Sequence, residues 1–514
     1  MLFRYCESLS LRIITKNRTL RGSHPGGRLL SSLSDVSYPN HNFEIRKQAS
    51  ASKARTGKLS TPHGDVYTPA FVFCATKAAM KGVTPAALRQ EDTQFILSNT
   101  YHLMLSPGSE LVERMGGVQK FSGWKGPMLT DSGGYQIFSM GYGSVSNEIK
   151  GKRNADGSGG WEKTLIKIDE EGATFRSFID GSIQHLSPER CMKIQKELGA
   201  DIVLVLDECT PFNVDEQYTA DSTRRSHRWA LRSLEAFDAL NVQNAHKQAL
   251  YGIVQGGIYS HLRDESTAFV NEHPFFGIAI GGSLGNTRQA MHDIVKYTRG
   301  KLRDDKPIHL LGIGGIRDIF HGVRQGIDTF DCVHPTRLGR HGGALVKAAF
   351  WEEGVWSDVS SPAAKYAADI KAKKLAKKNA DRESSKSGKE QKNAVEVEEE
   401  EREGEKVHGP SDQKQDTTQK VREHVDVSKS RFRNDPRPIE ADCDCYTCKN
   451  HSRAYLHHLF KVDESIGGQL VTLHNVHFMN KMMCRIRETI ETGEDLDDLE
   501  EHYVHPELKA NIEQ

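Results

Sequence analysis

The sequence predicts a mixed α/β fold in which strands and helices alternate and close into a (β/α)8 TIM barrel. Two observations support this prediction. Short apolar runs alternate with helical stretches from about Phe43 to residue 350, which is typical of strand–helix–strand units with a parallel sheet. Polar residues follow several of the apolar runs, and in a barrel this is the mouth where active sites lie. The number of repeats favours a closed barrel over an open sheet.

Individual elements can be predicted from the apolar pattern. The predicted strands are Phe95–Ser98, Ile202–Leu206, Leu250–Val254, Phe276–Ile280, His309–Ile313 and Thr329–Val333. The predicted helices are Glu189–Leu198 and Arg224–Phe237. The polar residues that directly follow strands are Asn99, Thr100, Asp207, Glu208 and Gln255. Ordinary loop polarity would explain one such residue, but the repetition favours a site.

Bulk composition excludes several classes of protein. The chain has 514 residues, with 69 basic and 69 acidic side chains that cancel. A protein that coats nucleic acid is normally basic overall, although an enzyme needs only a local basic patch. No run of about 18 apolar residues occurs, so no membrane span is expected. The sequence also has no G-x-x-x-x-G-K-[ST] phosphate loop.

Composition divides the chain into four segments. Residues 1–34 hold six basic residues, one acidic residue and six serines, which is typical of an organellar transit peptide or of a disordered basic tail. We expect a leader over 1–42, the barrel over 43–355, a charged insert over 356–428 and a C-terminal subdomain over 429–514. A mitochondrial destination is expected before a plastid one, with a cytoplasmic location as the alternative.

The charged insert is expected to be disordered. Residues 371–420 hold 13 Lys or Arg and 12 Asp or Glu, and no aromatic residue. Such a segment cannot bury enough apolar surface to offset the entropy of ordering it. Order is expected to resume near Arg431. A second, Gly/Ser/Lys-rich insertion, roughly Gly143–Gly160, is expected to be a surface loop.

Three cysteines and a distant histidine predict a metal centre. The cysteines stand in a C-x-C-x-x-C pattern, and 25 residues separate the last of them from a histidine. Three thiolates and one imidazole form a closed tetrahedral zinc site, which is structural because no coordination position is open to water. The predicted ligands are Cys443, Cys445, Cys448 and His474.

Two further blocks combine an acid with residues that suit a nucleotide substrate. In residues 129–136 (LTDSGGYQ), paired glycines allow close backbone approach and Tyr135 can stack on a planar base. In residues 330–342 (FDCVHPTRLGRHG), Asp331 ends an apolar strand and two arginines follow. A carboxylate beside arginines suits attack on a sugar carbon flanked by phosphates, although a structural Asp–Arg pair is common.

Another set of residues matches the hydrogen-bonding edge of guanine. Asp207 lies in the segment LDECTP, Gln255 in QGG, and Gly282 in AIGG. The carboxylate can accept from the ring N–H and amino group of guanine, whereas the glutamine and a glycine amide can donate to its carbonyl oxygen. Each motif is unspecific when taken alone.

Taken together and in this order, the blocks resemble the tRNA-guanine transglycosylase family. The resemblance runs from about Phe43 to His477 and skips the charged insert. It includes residues 98–103 (SNTYHL), the segments FRS and IDGS between residues 175 and 182, and residues 452–459 (SRAYLHHL). It implies a (β/α)8 barrel with a zinc-binding subdomain, in an enzyme that exchanges the wobble guanine of tRNA through a covalent aspartyl–ribose intermediate.

The resemblance also implies a role for each motif residue. Asp331 is expected to be the nucleophile and Asp131 the general acid and base. The residues expected to bind the base are Asp207, Gln255, Gly282, Tyr135 and Ser132, and those expected near the anticodon backbone are Arg337 and Arg340. The segment of residues 71–77 (FVFCATK) departs from the family pattern, which makes the barrel mouth less predictable there.

The expected substrates are GUN-anticodon tRNAs (Asp, Asn, His and Tyr) and queuine, with guanine as the leaving group. Gly285 stands where the aminomethyl-inserting bacterial enzymes usually have valine, which leaves room for the cyclopentenediol of queuine. Exchange with the 7-aminomethyl-7-deazaguanine precursor is the first alternative, and a nucleoside or glycoside hydrolase on the same barrel is a more remote one. The resemblance further implies a homodimer or a heterodimer with a paralogous subunit.

Overall fold

The structure is a computed structural model that describes residues 36–141, 165–210, 212, 214–241, 247–350 and 421–510. Residues 1–35 of the leader predicted over 1–42, the predicted loop over 143–160 and the predicted disordered stretch over 371–420 therefore lie outside the described residues. In the described part, the strands in chain order are β1 (Asn42–Gln48), β2 (Arg55–Thr61), β3 (Gly64–Thr68), β4 (Ala70–Cys74), β5 (Phe95–Asn99), β6 (Met128–Asp131), β7 (Leu165–Ile168), β8 (Ala173–Arg176), β9 (Ile183–Leu186), β10 (Ile202–Leu204), β11 (Ala249–Val254), β12 (Gly277–Ile280), β13 (Ile308–Leu310), β14 (Thr329–Cys332), β15 (Gly343–Leu345) and β16 (His424–Asp426).

The helices in the same part of the chain precede, connect and follow these strands. They are α1 (Pro85–Gln90), α2 (Thr100–Leu105), α3 (Ser109–Arg114), α4 (Val118–Ser122), α5 (Gly134–Gly141), α6 (Pro188–Leu198), α7 (Glu216–Asn241), α8 (Ser260–Glu272), α9 (Arg288–Lys301), α10 (Ile316–Arg324), α11 (His334–Arg340), α12 (Tyr446–Asn450), α13 (Arg453–Lys461), α14 (Ser465–Thr492), α15 (Leu496–Tyr503) and α16 (Pro506–Ala510). A 3-10 turn covers Ser430–Phe432.

The predicted barrel is confirmed. Eight parallel strands close in the order β4–β5–β6–β10–β11–β12–β13–β14, and β14 pairs with β4. These strands are buried on both faces, as β11 is along its whole length. Burial on both faces explains why the strands read as continuous apolar runs and not as alternating patterns.

Local sequence signals mark where the crossover helices begin and end. In α6 the Ser187 side chain accepts a hydrogen bond from the Arg190 amide at 3.2 Å, and Pro188 occupies the first turn. Gly199 then takes a left-handed conformation with φ +75°, which ends the helix. The two helices predicted from the sequence, Glu189–Leu198 and Arg224–Phe237, lie within α6 and α7.

Three small antiparallel sheets accompany the barrel. Strands β1, β2 and β3 form one sheet ahead of it, β7, β8 and β9 form a second, and β15 pairs with β16 in a third. The first sheet is tied to the barrel by Arg55 on β2, whose Nε donates to Asp328 Oδ1 at 3.0 Å. Both side chains are buried, and pairing is what makes a buried charge tolerable.

Described structure crosses two of the predicted boundaries. His41 lies on the leader side of the boundary at Phe43, yet it is buried and its Nε2 lies 3.1 Å from the Asp201 carbonyl oxygen. The strand β16 lies within the range assigned to the insert and before Arg431, where order was expected to resume. The reason is that β16 (His424–Asp426) pairs with β15, which is more than 70 residues earlier in the chain and gives no local signal.

Deleting residues 371–420 and joining their ends with a short Gly/Ser linker should leave the expected base exchange largely intact. The composition of this stretch gives it no means of building a core. The measurement is kcat/KM for guanine exchange, which we expect to stay within about tenfold of the full chain, or roughly 1.4 kcal/mol. A larger loss, in a variant that melts at the same temperature, would assign the insert a part in tRNA binding.

Candidate active site

The predicted site residues of the barrel converge at its carboxyl end. Asp131 ends β6, Asp331 lies on β14, and Asp207, Gln255 and Gly282 follow β10, β11 and β12. Carboxyl ends of parallel strands meet at one mouth, where barrel enzymes place their catalytic groups. The structure thus brings together five residues, the first and last of which are 200 positions apart in the sequence.

Asp131 is held by polar groups that follow the neighbouring strand. Its Oδ1 accepts from the Thr100 amide at 3.0 Å, and its Oδ2 accepts from the Asn99 side chain and from Gln136 Nε2 at 3.3 Å. Desolvation raises the pKa of Asp131 to about 7, and the negative charge of Asp331 contributes in the same direction. A carboxyl group with this pKa can both give and take a proton near neutral pH.

Asp207 is fixed by two other predicted site residues. Ser132 Oγ donates to its Oδ1 at 3.1 Å, and Gln255 Nε2 donates to its Oδ2 at 2.6 Å. Desolvation raises the pKa of Asp207 to about 6, so the group is mostly ionised at neutral pH. Only glycine fits at position 134, since a Cβ there would lie 2.4 Å from the Asp207 carbonyl oxygen.

Asp331 has two carboxylate oxygens in different surroundings. Its Oδ1 accepts from the Gly312 amide at 2.9 Å and lies 3.2 Å from His309 Nε2. Its Oδ2 receives a long contact from the Cys74 thiol at 3.7 Å. Cys74 belongs to the segment where the sequence departs from the family pattern, whereas His309 and Gly312 gave no signal of their own.

A buried arginine that sequence reasoning missed orders the loops around the base-edge residues. Arg263 on α8 is fully buried and donates through Nε to the Gly257 carbonyl at 2.8 Å and through Nη1 to the Gly281 carbonyl at 2.9 Å. Its Nη2 reaches the Ser283 carbonyl at 3.2 Å. The loops after β11 and β12 are therefore clamped to one rigid group, and burial lowers the pKa of Arg263 to about 10.

Gly282 requires both its conformation and its missing side chain. Its φ is +77°, and a Cβ would lie 2.5 Å from Gln255 Oε1. The Gly282 backbone thus lies beside the Gln255 side chain, and both groups were predicted to donate to the carbonyl oxygen of the base. Tyr135 at the start of α5 is 48% exposed.

The two predicted tRNA-binding arginines lie on α11, directly after the Asp331 strand. Arg337 is exposed and Arg340 is partly buried. Helix α11 packs on the long helix α14, and a Cβ at Gly339 would lie 2.7 Å from the Thr472 Cα. This close approach fixes the backbone of α11, which carries both arginines, against α14.

The four predicted zinc ligands form one cluster. Their ligand atoms all lie within 4.8 Å of one another, and the three sulfurs are 3.7, 3.6 and 3.4 Å from the His474 Nδ1 atom. Bond lengths of about 2.3 Å to sulfur and about 2.0 Å to nitrogen in a tetrahedron place these atoms about 3.5 Å apart. His474 Nε2 lies 2.8 Å from the Leu345 carbonyl oxygen, which suits Nδ1 as the ligand atom. The cluster can hold a metal ion.

Comparison with known proteins agrees with this architecture. Residues 50–506 match the family model described as queuine tRNA-ribosyltransferase. A queuine tRNA-ribosyltransferase of Roseiflexus sp. is 39% identical, covering 88% of this chain and 96% of the relative. Relatives of the same name from Protochlamydia amoebophila and Francisella tularensis subsp. novicida are 37% and 35% identical, each over 88% of this chain and over 96% and 95% of their own length.

These comparisons identify the chain as a pentosyltransferase, an enzyme that transfers a pentosyl group from one acceptor to another. The chain belongs to the queuine tRNA-ribosyltransferase family. Among the described helices, none is both long and apolar enough to cross a membrane.

Proposed function

We propose that this tRNA-guanine transglycosylase replaces guanine 34 of GUN-anticodon tRNAs (Asp, Asn, His and Tyr) by queuine, through a covalent bond between Asp331 and the ribose C1′ atom. One observation carries the proposal: two carboxylates, Asp331 and Asp131, share the barrel mouth with the base-edge set of Asp207, Gln255 and Gly282. Paired carboxylates of this kind serve glycosyl transfer with a covalent intermediate.

The reaction takes place in two displacements. Asp331 attacks C1′ and the bond from C1′ to guanine N9 breaks, so that guanine leaves with the electron pair and takes a proton from Asp131. The incoming base then gives its N9 proton to Asp131 and attacks C1′, and the bond to Asp331 breaks with its electron pair returning to the carboxylate. The target nucleotide has to leave the stacked anticodon loop to reach this mouth.

The electrostatics of the two carboxylates suit this sequence of steps. The charge of Asp331 helps to raise the pKa of Asp131. When Asp331 becomes a neutral ester, that contribution disappears and the pKa of Asp131 falls, which favours proton release to the departing guanine. When the ester breaks, the charge returns and favours proton uptake from the incoming base.

The base-edge set supports recognition of guanine and of 7-deazaguanines alike. Ionised Asp207 accepts from the ring N–H and the amino group, while Gln255 and the Gly282 amide donate to the carbonyl oxygen. Ser132 holds the Asp207 carboxylate in place, and the exposed ring of Tyr135 offers a stacking face. Arg337 and Arg340 on α11 supply positive charge for the flanking phosphates.

Guanine exchange should depend on pH through these two carboxyl groups. Asp131 has to be protonated when guanine leaves, so activity is lost as the pH rises through its pKa of about 7. Asp207 has to be ionised to accept, so activity is lost as the pH falls through its pKa of about 6. We expect kcat/KM to be highest between these values and to change by about tenfold per pH unit well outside them. A flat profile from about pH 5 to about pH 9 contradicts both assignments.

Queuine should be used with a higher kcat/KM than the aminomethyl precursor. Support comes from the sequence, in which Gly285 stands where the aminomethyl-inserting enzymes usually have valine. Its φ is +106°, and a Cβ there would lie 2.8 Å from the Ala290 Cβ atom. A valine at this position would therefore strain the backbone whatever the substrate is, so the direct comparison of the two bases on the wild-type enzyme is the sharper measurement. A preference for the precursor would overturn the argument from Gly285.

The remote alternative, a hydrolase, has a simple signature. A hydrolase releases free guanine from tRNA and leaves an abasic site, whereas a transglycosylase incorporates labelled guanine or queuine. The family assignment favours the second outcome. The assay with radiolabelled guanine and purified tRNA separates them.

We assign one structural zinc ion per chain to Cys443, Cys445, Cys448 and His474. Support comes from the donor set and from the ligand-atom distances, which fit a tetrahedral ion. All four ligands are protein atoms, so a bound ion would have no open position for substrate. Its role is to fasten the Cys-rich loop to helix α14 and, through His474 and Leu345, to β15.

The zinc-binding subdomain also supports assembly into a dimer. Tyr446 and Tyr455 are 55% and 42% exposed, and the ring of His451 stacks on Tyr455 with centroids 5.1 Å apart. Exposed aromatic clusters of this kind are enriched at protein interfaces. Sedimentation of wild type against a Tyr446→Ser, Tyr455→Ser variant tests the proposal, and a paralogous subunit in the purified assembly would distinguish the heterodimer from the homodimer.

We also propose that residues 1–34 direct the enzyme to mitochondria. Their six basic residues, six serines and single acid support this. Fusing them to a fluorescent protein tests it, and cytoplasmic or plastid fluorescence would contradict it.

A further inference from the structure

The two oxygens of Asp331 differ in how they are held, and the difference involves a histidine that the proposed reaction does not yet use. The Gly312 amide nitrogen lies 2.9 Å from Oδ1, and His309 Nε2 lies 3.2 Å from the same oxygen. Among the described residues, Oδ2 has the Cys74 thiol as its contact, at the long distance of 3.7 Å. An oxygen that is not tied by strong donors is the better nucleophile of the pair.

We propose that His309 is a positioning residue that holds Asp331 Oδ1, so that Oδ2 attacks C1′, and that stabilises the carboxylate when the ester breaks. This inference rests on the proposed covalent reaction. His309 is fully buried on β13 and is paired in register with Thr329 of β14. Thr329 and Asp331 are two residues apart on one strand, so their side chains face the same side of the barrel wall.

Thr329 determines what His309 can offer to Asp331. The Thr329 Oγ1 atom lies 2.9 Å from His309 Nδ1. A neutral imidazole has one donor and one acceptor nitrogen. If the hydroxyl donates to Nδ1, the proton of the ring is on Nε2, which faces Asp331. The tautomer follows from this network and not from observed hydrogens.

The His309 Nε2 atom is buried, and among the described residues it has no hydrogen bond of good geometry. The carboxylate oxygen 3.2 Å away is within reach of a small adjustment. Catalytic hydrogen bonds are often poorly aligned without substrate and tighten when it binds. A buried donor without a partner is unfavourable. The state of the reaction in which this hydrogen bond forms is therefore stabilised relative to the free enzyme.

The contribution of His309 differs between the two displacements. In the first, the bond from Oδ2 to C1′ forms, the bond from C1′ to guanine N9 breaks, and Oδ1 becomes the carbonyl oxygen of a neutral ester. In the second, the bond from C1′ to Oδ2 breaks and its electron pair restores the carboxylate. Donors at Oδ1 stabilise the returning charge, so their loss slows the second displacement more than the first.

Two substitutions of His309 separate this role from a structural one. Glutamine can place an amide N–H near the position of Nε2, whereas asparagine can place one only near Nδ1. We expect His309→Asn to lower kcat by roughly a hundredfold, with a larger fraction of enzyme trapped as the covalent adduct during turnover and, because the adduct accumulates, a KM for tRNA that falls and does not rise. His309→Gln should retain most of kcat.

Melting temperatures of both variants control for folding, and Thr329→Val provides a second route if His309→Asn does not fold. Thr329→Val removes the hydroxyl that selects the tautomer and should lower kcat in the same direction by a smaller factor. Equal losses in the Gln and Asn variants, or a loss confined to KM, would overturn the role of His309. A wild-type enzyme that forms no adduct with tRNA would instead overturn the proposed covalent reaction.

Discussion

Asp331→Asn should abolish base exchange and the covalent adduct with tRNA while leaving tRNA binding intact. An amide is a far weaker nucleophile than a carboxylate, and asparagine keeps the size of the side chain next to Gly312 and Cys74. We expect kcat to fall by roughly 10⁴-fold or more, the scale on which removal of a covalent nucleophile acts.

The measurements are radiolabelled guanine exchange, a denaturing gel of enzyme with tRNA, and tRNA affinity by filter binding. Asp305→Asn is a matched control, since it makes the same chemical change at a side chain that is 61% exposed and paired with Arg303. That control should retain exchange and adduct formation. An adduct band for Asp331→Asn as strong as that of wild type would mean that another residue is the nucleophile.

Cys445→Ser should remove the metal ion and with it much of the stability of the C-terminal subdomain. Cys445 is buried, its sulfur lies 3.6 Å from His474 Nδ1, and it accepts a hydrogen bond from the Cys448 amide at the start of α12. Binding energy at a structural zinc site is folding energy, with apparent binding free energies of about 10–16 kcal/mol in zinc-finger peptides. We expect loss of zinc from the purified protein and a strongly lowered melting temperature.

Cys484→Ser is the matched control for this prediction. Cys484 is a partly buried cysteine on α14 outside the cluster, with its sulfur 3.4 Å from Glu488. It should keep one zinc ion per chain and a melting temperature close to that of wild type. A Cys445→Ser enzyme that is folded and active without zinc would contradict the structural role of the ion.

The barrel and its mouth could be predicted because both leave local signals. Strands buried on both faces give continuous apolar runs, and the polar residues Asp207 and Gln255 stand directly after such runs. The metal cluster was predictable for a similar reason, since three of its ligands lie within six residues. In each case the chemistry is encoded in neighbouring positions.

The remaining features depend on contacts between distant segments. His309 is one residue of a short strand, and nothing near it in the chain reveals that Asp331 lies 3.2 Å away. Arg263 lies on an amphipathic helix, where the sequence does not distinguish it from an exposed charged residue. In the structure it is fully buried under the loops after β11 and β12. The pairing of β16 with β15 likewise requires a partner more than 70 residues away, which is why the end of the insert was placed too late.

The pairing of β15 with β16 also makes the barrel tolerant of additions. Because Leu345 is paired with His424, and the Val346 amide donates to the Glu423 carbonyl, these two points of the chain lie side by side. The cost of closing a loop between fixed neighbouring ends rises only with the logarithm of its length, by about 0.6 kcal/mol per doubling. Length and composition can therefore vary here with little effect on the barrel, and a reporter domain with adjacent termini could be grafted at this point.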